Sequence, residues 1–122
     1  MRTARLWLAA LGICAFVAAS AYAQDTAVVN AHSVVVKLDN DRVRVLDVVQ
    51  EPGAKEAMHS HPAYVIYVLA GGKVRSTTKE GKVSETVFEE GKALYREALT
   101  HSGENIGGTR IHLIVVELKP GK

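Results

Sequence analysis

Short runs of β-branched and apolar residues, each cut off by a turn signal, fill this chain from residue 34 onward, and that rhythm leaves few architectures open. Residues 34–38 are apolar apart from Lys37 and run into Asp39-Asn40-Asp41, side chains that bond their own backbone in turns. Residues 43–50 set Val43, Val45, Asp47 and Val49 on one side against Arg44, Leu46 and Val48 on the other, and Glu51-Pro52-Gly53 stops the run. Residues 63–70, AYVIYVLA, form the strongest predicted strand, closed by Gly71-Gly72. Residues 73–78 and 83–89 flank Lys79-Glu80-Gly81-Lys82 as a hairpin. A short strand over 93–95 and a long one over 110–118 complete the set. Residues 24–33 carry no firm assignment, and no segment has the period of an amphipathic helix. Many short strands spaced by turns predict an all-β sandwich or barrel.

The first 23 residues read differently. Arg2 and Arg5 give a positive start, residues 6–19 are uncharged and apolar, and Ala21-Tyr22-Ala23 is a small-x-small cleavage site. Together these are the parts of a secretory signal peptide. The apolar run is 14 residues long, short of the roughly 20 that a membrane span needs. Export to the periplasm or the medium is therefore expected, with a domain over residues 24–122. Cleavage removes the only cysteine, Cys14, and the only tryptophan, Trp7. It also removes Arg2 and Arg5, which brings 15 basic residues down to 13, equal to the 13 acidic ones. A neutral mature domain with scattered charges has no basic stripe for nucleic acid and no thiol chemistry.

Five histidines remain: His32, His59, His61, His101 and His112. In an extended segment residues i and i+2 share a face, so His59 and His61 point the same way, as two ligands of one divalent metal would. Solvent-exposed loop histidines give the same pattern. His101 lies 40 residues beyond His61, and spacing alone does not say whether the fold brings it near.

Gly53, five residues, His59, one residue, His61 and then Gly71-Gly72 after an apolar strand resembles the first motif of the cupins. Gly91, nine residues, His101, three residues and Asn105 resembles their second. The resemblance runs over residues 43–118. It implies a small single-domain jelly-roll β-barrel with a divalent transition metal held by His59, His61 and His101. Where the first motif usually supplies a glutamate ligand this chain has Val65 and Ile66, and no acid stands between His61 and Glu80. The expected site is therefore three neutral imidazoles, a set that three-histidine dioxygenases of the family share. Such ligands leave the charge of the ion unneutralised and favour an anionic substrate. They suit iron first, with zinc, copper, nickel and manganese as alternatives.

The remaining candidates have quieter expectations. Glu56, the nearest acid upstream of His59, is expected in solvent. Asn105 is expected to tie down its loop through bonds to backbone. His112 reads as a core or surface histidine and His32 as exposed. Tyr64, Tyr67 and Tyr95 read as barrel packing, with one of Tyr64 and Tyr67 inward because a spacing of three puts them on opposite faces of a strand. The function expected is a metal-dependent dioxygenase acting on a small molecule; the alternatives are a periplasmic module that holds a metal or small ligand without turnover, and a metal-free barrel that serves in assembly. A homodimer is expected from the small core and the edges of such barrels.

Overall fold

The computed structural model describes residues 24–121. The reading of residues 1–23 as a signal peptide falls outside them. Within that span a short helix, α1 (Thr26–Val29), precedes nine strands: β1 (Val34–Asp39), β2 (Val43–Gln50), β3 (Lys55–His61), β4 (Tyr64–Ala70), β5 (Gly72–Thr78), β6 (Val83–Phe88), β7 (Ala93–Arg96), β8 (Leu99–Asn105) and β9 (Ile111–Leu118). They form two antiparallel sheets, one ordered β1-β2-β9-β4-β7 and the other β3-β8-β5-β6. This is the all-β jelly roll expected.

Alternation builds the core. In β4, Tyr64, Ile66 and Val68 are buried between more exposed neighbours, and in β9 Ile111, Leu113 and Val115 are buried in the same rhythm. Leu46 and Val48 of β2, Val74 of β5 and Phe88 of β6 close on them from both sheets. Tyr64 is therefore the inward tyrosine, and Tyr67 and Tyr95 are exposed rather than packed. Apolar Val35, Val36 and Leu38 are exposed along the edge strand β1.

The interior stripe of the larger sheet turns polar at one end. Arg44 of β2 stands opposite Glu117 of β9, Glu117 opposite Tyr64 of β4, and Tyr64 opposite Arg96 of β7. One level of the sheet thus carries arginine, glutamate, tyrosine and arginine in a row. The facing strands β3 and β8 carry the motif histidines, with His59 directly opposite His101. The turns leading into β3 and β7 need glycine: Gly53 and Gly91 have φ of 79° and 78°, a region that side-chain-bearing residues rarely enter.

Candidate metal centre

The strands that carry the ligands are held by pairing rather than by their own propensity. Lys55–His61 and Leu99–Asn105 contain no valine or isoleucine, yet the β3–β8 ladder extends both. Asn105 anchors the far end as expected, donating to the carbonyls of Gln50 at 3.0 Å and Thr109 at 2.8 Å and accepting from Gly107 N–H at 3.1 Å.

His59, His61 and His101 come together, with one ligand nitrogen from each lying within 4.8 Å of the other two. His59 is 1% exposed. Its Nδ1 lies 2.7 Å from the Ala57 carbonyl and 3.1 Å from the Asn30 amide nitrogen; the shorter contact is to an acceptor only, which assigns the proton to Nδ1 as donor to Ala57 O. Asn30 at the end of α1 braces the same turn, its amide accepting Ala57 N–H at 2.7 Å and donating to Ala57 O at 3.2 Å. His61 Nδ1 lies 2.7 Å from Glu117 Oε2 and donates to it. Both rings therefore offer an unprotonated Nε2, and those two atoms are 2.9 Å apart. Two lone pairs that close repel unless a cation or a shared proton sits between them. Nitrogens bound to one ion at about 2.0–2.1 Å and at right angles lie about 2.9 Å apart, so the donor set fits a transition metal. The His101 ring completes the group, its centroid 4.7 Å from that of His59 and 5.5 Å from that of His61.

Glu117 is the centre of a buried charge cluster. Its Oε1 accepts from Arg44 Nε at 2.6 Å, and Arg44 Nη1 donates to Asp25 Oδ2 at 2.6 Å. Burial pushes the Glu117 carboxyl up, but the hydrogen bonds from His61 and Arg44 outweigh it and the net shift is down. The bond from Arg44 holds Asp25 low as well. A carboxylate that fixes the tautomer and aim of a ligating histidine raises its basicity toward a metal. Asp25 also caps α1, accepting from Ala27 N–H at 2.9 Å, so the same residue starts the helix and ends the charge relay. Nothing in the linear chain marks Glu117 for this role, because it sits in RIHLIVVEL as an apparent strand end. The usable signals are its inward register after Ile111, Leu113 and Val115, and the N-cap pattern at Asp25.

Glu56 departs from expectation. Counting back by twos from His59 and His61 puts Glu56 on the outer face. The β3–β8 register shifts between Glu56 and His59, however, and a bulge exchanges the faces on either side of it. Glu56 thus turns inward, its side chain 10% exposed and Oε2 3.9 Å from His59 Nε2. It lies opposite Gly103, where a Cβ would come 3.8 Å from that same oxygen. Its charge lies close enough to attract a divalent ion. Glu56→Ala is accordingly expected to weaken metal binding by ~10-fold, in the range seen when partners of metal ligands are removed, read by competition with a chelator.

The other candidates stay clear of the centre. His112 pairs with Asp47 at 2.7 Å on a partly exposed face, and His32 is exposed.

Below the histidines the two sheets enclose a cavity of about 290 Å³. Glu56, His61, Tyr64, Arg96 and His101 line its polar end; Ile66, Val74, Phe88 and Leu113 line its apolar body, with Ser76, Thr78, Ser84 and Thr86 along β5 and β6.

Acid should open this site. Burial, and then the charges of His59 and His61, bring His101 down to about 3, and burial lowers His59 too. A histidine depressed in the fold takes its proton first in the unfolded chain. Stability is therefore full above the ordinary histidine value of ~6.5 and falls below it, by up to ~1.4 kcal/mol per pH unit for each such group. The depressed Asp25 and Glu117 stabilise the fold above their ordinary values and add to the loss only below about pH 4. The urea midpoint of metal-free protein is expected to drop clearly between pH 7 and pH 5; an unchanged midpoint would contradict buried neutral imidazoles.

No protein-family model and no curated protein matches the chain. Solved structures do. A cupin domain from Bordetella pertussis Tohama I superposes with a TM-score of 0.65 at 27% identity, over 71% of this chain and 92% of that one. The chain has the cupin fold. A double-stranded β-helix protein of Klebsiella pneumoniae gives a TM-score of 0.55 at 20% identity, over 74% of this cupin and 81% of its own chain. A predicted oxalate decarboxylase of Thermotoga maritima gives 0.53 at 18% identity, over 71% and 79%. These two likenesses speak to the fold. The cupin motifs read in the sequence thus coincide with the architecture, and the histidine cluster that can hold a metal stands where both motifs meet.

Proposed function

We propose that this cupin binds a divalent transition metal, iron foremost, through His59, His61 and His101, and works as a dioxygenase on a small molecule after export. The observation that carries this reading is the 2.9 Å approach of two Nε2 atoms whose rings have both committed Nδ1 as a donor. Bound iron would supply an oxygen-activating Lewis acid with coordination positions left open by a three-imidazole set. The chain's own residues do the rest. Glu117 and the Ala57 carbonyl fix the two ring orientations. The apolar body of the cavity holds a substrate and keeps water from it, and the carboxylate of Glu56 offsets part of the ion's charge.

Elemental analysis of mature protein purified without chelator tests the metal, with close to one equivalent expected. Less than a tenth of an equivalent would leave a metal-free barrel. Oxygen uptake by the iron-loaded protein with thiols, phenols and diketones tests the reaction. Metal without uptake would instead support a module that holds a small ligand without turnover. Export is tested by sequencing the amino terminus of the expressed protein, expected to begin at Gln24.

A further inference from the structure

We propose that Arg96 and Tyr64 form a carboxylate-binding subsite beside the histidines, so that this cupin takes a small organic acid whose apolar body fills the cavity. The proposal rests on the metal reading for the second contact of the acid, and on the polar row of the larger sheet for the first.

That row carries two arginines with different circumstances. Arg44 is answered by Asp25 and Glu117, each at 2.6 Å. Arg96 has no ion pair among the described residues; its one hydrogen bond is a long 3.4 Å contact to the neighbouring Tyr95 carbonyl. Yet Arg96 lines the cavity. The alternation of β7 explains why: Leu94 and Arg96 are the half-buried residues, while Ala93 and Tyr95 face out. A half-buried guanidinium at a cavity wall without a counter-charge is available to an incoming anion. Its planar fork matches a carboxylate with two parallel hydrogen bonds.

Tyr64 sets the direction. It faces Arg96 directly across the β4–β7 ladder, and its ring lies 4.5 Å from that of His61. Its phenol hydroxyl is a hydrogen-bond donor from which a carboxylate oxygen can accept. Arginine, phenol and ligating histidine thus follow one another along the cavity wall. An acid held by Arg96 and Tyr64 has its next atoms directed toward the histidines.

The charge balance agrees. Three neutral imidazoles leave the ion its full charge, Arg96 adds one, and Glu56 opposes one; the other lining residues at this end are uncharged. The cavity with its ion is therefore positive. Ile66, Val74, Phe88 and Leu113 beyond it ask for an apolar body, and about 290 Å³ admits an acid no larger than a single aromatic ring with a short side chain.

The test uses zinc-loaded mature protein, which turns nothing over. Benzoate and pyruvate are titrated by calorimetry, with benzyl alcohol and hydroxyacetone as neutral counterparts, into wild type, Arg96→Gln, Arg96→Lys and Tyr64→Phe. Metal content is measured in every sample. Expected are binding of at least one acid, a loss of tenfold or more in Arg96→Gln, partial recovery in Arg96→Lys, a smaller loss in Tyr64→Phe, and neutral counterparts indifferent to all three changes. Zinc-replete protein that binds neither acid, or binds them equally with and without Arg96, overturns the subsite. Protein that takes up no zinc overturns the metal reading instead. The Arg96 contrast then decides the subsite on metal-free protein: the same tenfold loss supports it and equal or absent binding overturns it.

Discussion

His101→Ala is expected to abolish metal binding at the histidine cluster. A structural zinc site with four protein ligands is worth ~10–16 kcal/mol at neutral pH, so one ligand accounts for about 3 kcal/mol, or on the order of a hundredfold in affinity. Here the share of each ligand is larger, because three imidazoles hold what four groups usually do. The change should not unfold the protein. His101 makes no hydrogen bond to the described residues through its ring, and burial costs that ring its proton down to about pH 3. Replacing it removes a desolvated polar group from the company of two others. Metal-free His101→Ala is thus expected to unfold at the same urea concentration as metal-free wild type or a higher one, and to lose less stability between pH 7 and pH 5. His112→Ala is the matched control, since His112 faces Asp47 away from the cluster. Equal metal retention in His101→Ala and His112→Ala would break the three-histidine account.

The parts of this fold that are legible in the sequence are those in which local preference and burial agree. Val43–Gln50, Tyr64–Ala70 and Ile111–Leu118 are β-branched, alternate in burial and sit in the middle of the larger sheet. The ligand-bearing strands are the opposite case. KEAMHSH and LTHSGEN are mostly polar, with Thr100 their one β-branched residue, so little local marks them as strands; their conformation comes from the β3–β8 ladder, a tertiary fact. The motif spacing still located His59, His61 and His101 because it records where side chains must converge, whatever the segment's propensity. The bulge that turns Glu56 inward leaves no such record. It changes which face each residue occupies without changing any residue. Glu117 was hidden for a related reason: its partners Arg44 and His61 are 73 and 56 positions away; the register of β2 with β9 sets Arg44 beside it, and the packing of the other sheet brings His61 of β3 to it.

That register carries the second large effect. Glu117→Ala is expected to cost about 3–5 kcal/mol of stability, the range for breaking a buried ion pair from one side. Glu117 is 2% exposed and accepts from both Arg44 and His61. Its loss leaves a guanidinium half-answered by Asp25 and an imidazole N–H with no acceptor. Glu117→Gln separates stability from orientation. The amide keeps the volume but brings its own donor, so it cannot accept from both partners with its two terminal atoms. It is expected to fold, and to bind metal 10–100-fold more weakly, because His61 then loses either its tautomer or its aim. Removing both ends of the pair, Arg44→Met with Glu117→Leu, should cost less stability than Glu117→Ala alone, since no buried charge is stranded. Its metal affinity should nevertheless stay low, for nothing then holds His61 Nδ1. Urea unfolding read beside chelator competition distinguishes the two roles. If Glu117→Gln binds metal as wild type does, the carboxylate serves the fold and not the centre, and His61 must be aimed by its strand alone.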